Sequence, residues 1–167
     1  MGKQNVYDHS VHVPLIISGP GIPQGETRDQ LCYIYDIYPT LCERAGLKTP
    51  GTVQYTSLNP VIERADSGYR ENLYFAFMSW QRAVRDSRYK LIEYCVDGAR
   101  HTQLFDLQED PMEIRNLAGQ PEHRERLQAL RKMLEKERVS LNDGNTPYPL
   151  TDKQGKDFWS TYESVKE

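Results

Sequence analysis

Hydrophobic and polar positions alternate most clearly between residues 72 and 117. Leu73, Phe75 and Phe77 interleave with Tyr74, Ala76 and Met78, the period-two pattern of a pleated strand. A turn over 79–82 follows, then extended runs at 83–85 and 89–96, separated by Asp86 and Ser87, which make a tight connection without the favoured glycine. Asp97-Gly98 is the stronger hairpin signal, and residues 103–107 return as a fourth strand. Connections this short do not join parallel strands, so the block predicts a four-stranded antiparallel sheet. One face needs a cover, and the amphipathic stretch after Asp110-Pro111 is the candidate. Gln120-Pro121-Glu122 opens it with proline at the first helical position. Leu127, Leu130, Leu134 and Leu141 form its apolar stripe, Arg131 is expected on the outward side, and Asn142-Asp143-Gly144 ends it.

The upstream pattern differs. Val11, Val13, Leu15, Ile16 and Ile17, bounded by Gly19-Pro20-Gly21, read as a buried strand of the parallel-sheet kind, and residues 31–35 read as a second short extended run. These two runs and one helix do not make a parallel sheet by themselves. The period changes at Asp36, an N-cap candidate. Pro39 sits in the first turn, Ile37, Leu41 and Ala45 recur at four-residue spacing as an inward face, and Gly46 is placed to end the helix. Residues 48–66 show little periodicity beyond Val61 and Ile62 and read as a connection, which puts a boundary near Gly68. The expected organisation is therefore 1–68, 69–144 and a polar tail, 145–167, in which Phe158, Trp159 and Tyr162 are expected to dock on the core.

Composition narrows the function classes. A chain of 167 residues with 38% hydrophobic content supports one ordinary core and is marginal for two full domains. A formal net charge of -3 argues against an electrostatic nucleic-acid surface. The longest apolar runs fall well short of the roughly 20 residues that span a bilayer, so no membrane partner is expected. Cys32, Cys42 and Cys95 are odd in number and widely spaced, which predicts buried thiols, no metal site and no disulfide framework, and leaves redox compartment and localisation open. Glycines 19, 21 and 25 are interrupted by Pro20 and Pro23, so no phosphate-cradling loop is present.

Three segments together resemble the sulfatase family of the alkaline-phosphatase-like superfamily. Gly2-Lys3-Gln4-Asn5-Val6-Tyr7-Asp8, continuing through Val11-His12-Val13-Pro14-Leu15-Ile16-Ile17 and Gly19-Pro20-Gly21-Ile22, is similar to the family pattern GKxxxY(D/E)xSxRVPLIIxGPGI. Tyr35-Asp36-Ile37-Tyr38-Pro39-Thr40-Leu41 with Ala45-Gly46-Leu47 resembles the family's DxxPTLLxxAGL helix. Ala83-Val84-Arg85, Tyr89-Lys90-Leu91-Ile92, Leu104-Phe105-Asp106-Leu107, Asp110-Pro111-x-Glu113 and Asn116-Leu117 resemble the signature of the smaller C-terminal subdomain. The resemblance covers residues 1–140 or so. It implies a mixed fold: the end of an alkaline-phosphatase-like α/β domain over 1–68, followed by the antiparallel sheet and C-terminal helix over 69–144.

The resemblance also implies chemistry. Sulfatases hydrolyse sulfate esters with a formylglycine made from the cysteine of a C-x-(P/A)-x-R motif, while a divalent cation, usually calcium, holds the sulfate. Cys32 is followed by Tyr33-Ile34, Cys42 by Glu43-Arg44 and Cys95 by Val96-Asp97, so none fits that motif. No acidic cluster suits a hard cation either. Neither cofactor is thus expected in this chain, and both are expected in the complete family enzyme. Lys3 matches the family lysine that contacts the sulfate ester, where an ammonium can stabilise charge developing on a leaving oxygen. His12 stands where the family pattern has arginine, and His9 lies nearby. Arg85 and Lys90 are expected to project from the sheet, either toward an anionic substrate or as part of a polar face. The leading expectation is a C-terminal fragment of a sulfatase, inactive alone, whose partner is the missing N-terminal catalytic part and whose complete form acts on a sulfate ester. The alternatives are a phosphoester or phosphonate hydrolase of the same superfamily, and a non-catalytic binding module using the sheet face.

Overall fold

The computed structural model describes residues 4–64, 68–96 and 99–143. Contacts divide the chain into two compact units: residues up to Val13 together with those from Tyr74 onward, and Pro14–Leu73. The amino-terminal segment thus groups with the sheet, whereas the sequence reading set it with the upstream region.

In the first unit the alternating block forms four strands, β1 (Leu73–Phe77), β2 (Gln81–Arg85), β3 (Tyr89–Val96) and β4 (Ala99–Asp106), in the spatial order β1-β2-β3-β4. Strands β2 and β3 pair antiparallel with Val84 opposite Leu91, and β3 and β4 pair with Leu91 opposite Leu104. The fourth strand begins at Ala99, four residues before the expected start, because pairing with β3 continues to Val96 opposite Ala99. The turn residues Asp97 and Gly98 lie outside the described residues, as do Phe158, Trp159 and Tyr162 of the tail.

A short 3-10 turn, Pro121–His123, leads into helix α4, Arg124–Ser140. Its Leu127, Leu130 and Leu134 pack with Val84, Leu91, Cys95 and Leu104 from one sheet face. Leu141, expected in the stripe, falls just past the helix and is exposed. Cys95 is buried, whereas Cys32 and Cys42 are half-buried; all three are free thiols.

Alternation sends Ala83, Ile92 and Phe105 to the opposite face. That face is covered too: Val6 is buried against these three residues, beside Tyr7, Phe75 and Tyr94. The chain then makes one turn of helix, α1 (Asp8–Val11).

The second unit contains a 3-10 turn, Ile34–Asp36, and helices α2 (Ile37–Arg44) and α3 (Asn59–Arg64). The buried strand expected over residues 13–17 does not form: residues 12–18 belong to no helix or strand, and Ile16 is 91% exposed. A strand needs a neighbour to pair its backbone groups, and among the described residues of this unit only Leu73, the first residue of β1, is in a strand. The extended run expected at 31–35 forms no strand, since residues 31–33 belong to no helix or strand and the 3-10 turn takes Ile34 and Tyr35, and the expected 48–66 connection holds α3, with Val61 and Ile62 buried.

Helix α2 ends as expected, at Gly46 with φ +68, where Leu47 N–H donates to Cys42 O at 2.8 Å. Its buried face is the reverse of the expected one. Pro39 and Thr40 are buried, while Leu41 is 61% exposed and, with Ile34, Tyr35, Tyr38 and Tyr55, lines an open apolar groove of about 600 Å³. The cause is a polar hub. The buried Asp36 carboxylate accepts from Tyr33 N at 2.7 Å and pairs with Arg70 at 3.0 Å, while Thr40 Oγ1 donates to Asp36 O at 2.6 Å and accepts from Leu58 N at 2.7 Å.

Candidate functional site

The chemistry-bearing side chains of the first unit gather where the amino-terminal segment crosses the sheet. Lys90 lies on the same sheet face as Ile92, so its stem points toward that segment. It is completely buried. Its Nζ donates to Asp8 Oδ1 at 2.7 Å, lies 2.9 Å from Glu113 Oε1 outside hydrogen-bond direction, and sits 5.7 Å from the centre of the Phe75 ring. Arg85 Nη1 donates to Asp8 Oδ2 at 2.9 Å. Two cations thus face two carboxylates, and the cluster is neutral overall, the condition under which buried charge is tolerated.

Local backbone structure delivers both carboxylates. Asn5 Oδ1 accepts from Tyr7 N at 3.2 Å and from Ser10 Oγ at 2.7 Å, turning the chain into α1 so that Asp8 faces the sheet. Glu113 has φ +54, a left-handed conformation that non-glycine residues seldom adopt. The carboxylate of Asp110 holds that bend by accepting from Ile114 N at 2.8 Å and Arg115 N at 2.7 Å. Glu113 Oε2 in turn accepts from Asp8 N at 2.6 Å.

Around this centre lies a shell of aromatic and amide groups. Tyr7 Oη donates to Gln103 Oε1 at 2.6 Å. Burial, followed by a hydrogen bond with Tyr7, pushes the Tyr94 phenol up. The buried Gln81 amide reaches both sides of Asn5, accepting from Val6 N and donating to Gln4 O, each at 3.2 Å.

Three of the four residues singled out in the sequence therefore converge on one carboxylate. Lys90 and Arg85 pair with Asp8 directly, and His12 Nδ1 lies 3.8 Å from it with a largely exposed ring. Lys90 is not an outward-projecting residue, because Asp8 and Glu113 enclose its ammonium. Lys3 lies outside the described residues. His9 is exposed and stacks on Tyr7 at 5.7 Å. Sequence reasoning missed Asp8, Glu113 and Gln81 as members of the site. The two carboxylates were visible only as positions within the quoted motifs, and a pairing across 82 residues has no local signature.

The donor set does not suit a resident calcium. Among the described residues no three His, Cys, Asp or Glu side chains converge for a metal, and the two carboxylates that do approach each other already hold an ammonium.

The mixed α/β fold, with its four-stranded antiparallel sheet and C-terminal helix, is similar to that of solved sulfatases and related proteins of the alkaline-phosphatase-like class. Residues 1–140 match the family model described as N-sulphoglucosamine sulphohydrolase, C-terminal, and the chain belongs to that family. It is 29% identical over 131 residues to arylsulfatase K of Xenopus laevis, covering 71% of this chain and 24% of that protein. It is 31% identical over 147 residues to an arylsulfatase of Clostridium perfringens, covering 84% of this chain and 30% of the relative. Among solved structures, the phosphonate monoester hydrolase of Silicibacter pomeroyi superposes with a TM-score of 0.72 at 27% identity, over 90% of this chain and 32% of that one. The chain thus spans from about a quarter to about a third of the length of these relatives.

Proposed function

We propose that this chain is the C-terminal portion of a sulfuric ester hydrolase and is inactive by itself. The observation that carries the reading is that residues 1–140 match a sulfatase C-terminal region while none of Cys32, Cys42 and Cys95 stands in a C-x-(P/A)-x-R sequence. The nucleophile and the calcium ligands then come from the remaining part of the enzyme, the partner of this chain. In this reading residues 1–68 are the end of the catalytic α/β domain and 69–144 the C-terminal subdomain. Lys3 is the sulfate-contacting lysine, stabilising charge on the leaving oxygen. Arg85 and His12, the less enclosed basic residues beside Asp8, are the candidates for contact with an anionic substrate.

The test is an aryl sulfate assay with calcium. The chain alone is expected to give no turnover above a buffer blank, and the polypeptide extended through the coding sequence upstream of Met1 is expected to turn over. Activity of the chain alone that survives repurification and disappears in Lys3→Ala would overturn the reading. The likeness to a phosphonate monoester hydrolase favours one second reading, a phosphonate or phosphoester hydrolase. An extended protein that prefers an aryl phosphonate to the aryl sulfate would establish it instead.

A further inference from the structure

We propose that Gln81 and the Asp8, Lys90 and Glu113 cluster are positioning residues, which hold the segment immediately following Lys3 in one register on the sheet. This rests on the reading of Lys3 as the sulfate-contacting residue.

Apolar burial of Val6 fixes how deeply the segment sits, but it is non-directional and leaves sliding along the strands weakly opposed. The polar contacts are directional and fall at every second residue. Gln4 O receives the Gln81 amide, Val6 N gives to the same amide, and Asp8 is held by its backbone through Glu113 and by its side chain through Lys90 and Arg85. A one-residue slip would break all of them together. Gln4, the first anchored residue, directly follows Lys3 in the sequence.

The chemistry of the anchors supports a role in geometry. A buried ion pair is often no more stabilising than well-packed apolar residues of similar volume, whereas it tolerates few arrangements. A wholly buried ammonium between carboxylates from α1 and from the left-handed bend at Glu113 suits a contact kept for placement. Arrangement within about an ångström governs how effective a catalytic group can be.

The experiment is amide hydrogen exchange on the full chain, comparing wild type with Gln81→Met, which removes donor and acceptor, and with Asp8→Asn, which keeps volume and removes the charge. Exchange at Val6 and at residue 8 should rise about tenfold or more, while Ala83 and Ile92 in the sheet stay protected. Unchanged exchange at Val6 in both variants would overturn the proposal, and so would a parallel loss of protection across the sheet. In the upstream-extended protein both variants should lower kcat about tenfold or more while KM stays within about twofold, the pattern of lost transition-state contact. A full kcat with a freed segment would also overturn it. If the extended wild type does not turn over sulfate esters, the sulfatase reading fails, and the exchange measurements alone judge the register latch.

Discussion

Arg131 Nε lies 3.0 Å from Oε1 of Glu93, a carboxylate that is fully buried between α4 and the sheet. Arg100 and Thr102 of β4 complete its surroundings, with Arg100 Nη2 at 2.8 Å from Oε1 and Thr102 Oγ1 at 2.7 Å from Oε2. Burial pushes the Glu93 carboxyl up, but the hydrogen bonds from Arg100 and Thr102 and the two arginine charges outweigh it and hold it below the ordinary range. The helix is therefore pinned by charge as well as by leucines, and the outward placement expected for Arg131 gives way. It sits four residues after Leu127 and three before Leu134, the spacing that brings it alongside the apolar stripe.

Arg131→Met should destabilise the protein by about 1 to 3 kcal/mol, the cost of removing a charged hydrogen-bond partner from a buried group that keeps its other donors. Lys132→Ala, one position on and exposed, should stay within about 0.5 kcal/mol. Urea melts of both variants in one buffer make the comparison, and equal small effects would place Arg131 on the solvent side.

Leu130 is 1% exposed and packs in the cluster with Val84, Leu91 and Leu104. Leu130→Ala should cost about 2 to 5 kcal/mol, the transfer and cavity cost of a buried leucine. A loss under about 1 kcal/mol in the same melts would mean that α4 does not cover the sheet.

Acid should weaken the corner at the end of β4. Hydrogen bonds from Arg88, with Nη2 at 2.7 Å from Asp106 Oδ2, are the main cause holding the Asp106 carboxyl down at about 2, against an opposing effect of burial. The folded value lies below the unfolded one of about 3.9, so this stabilisation is complete above that pH and is lost as pH falls through the folded value. The stability difference between wild type and Asp106→Asn should therefore shrink from about pH 5 down to about pH 2 and go on shrinking below it. A constant difference would show that ionisation of Asp106 is not linked to folding.

What the sequence made legible follows the range of the interactions. Period-two alternation marks β1, the extended run over 89–96 coincides with β3, and the Leu127, Leu130 and Leu134 spacing marks α4, because each pattern arises from neighbours along the chain. The second cover of the sheet was hidden, since Val6 meets Gln81 across 75 residues and Asp8 meets Lys90 across 82. The motif resemblance contained Asp8, Glu113 and Lys90 as letters but not their mutual contact. The 13–17 run shows the converse: its composition suits a strand, yet composition supplies no pairing partner.

That contrast should be visible in backbone exchange. Leu91 and Ile92 sit on β3, which is paired on both sides, and should be among the slowest amides. Ile16 and Ile17, exposed and outside any helix or strand, should exchange rapidly. Slow exchange at 15–17 that weakens on dilution would instead show the run pairing with a second copy through its open edge.

The reversed face of α2 yields the sharpest mutational contrast, because hydrophobicity and structure make opposite forecasts there. Thr40 is 3% exposed, and its hydroxyl both donates to Asp36 O and accepts from Leu58 N, tying the start of α2 to the segment before α3. Thr40→Val keeps the shape and leaves the Leu58 amide without that acceptor, which should cost about 1 to 3 kcal/mol. Leu41 is 61% exposed, so Leu41→Ala should change stability by no more than about 0.5 kcal/mol. Exchange of the Leu58 amide reports the first variant locally and denaturant melts report both. If Leu41→Ala proves the costlier change, the helix buries its apolar face after all, and the Asp36 hub does not set its orientation.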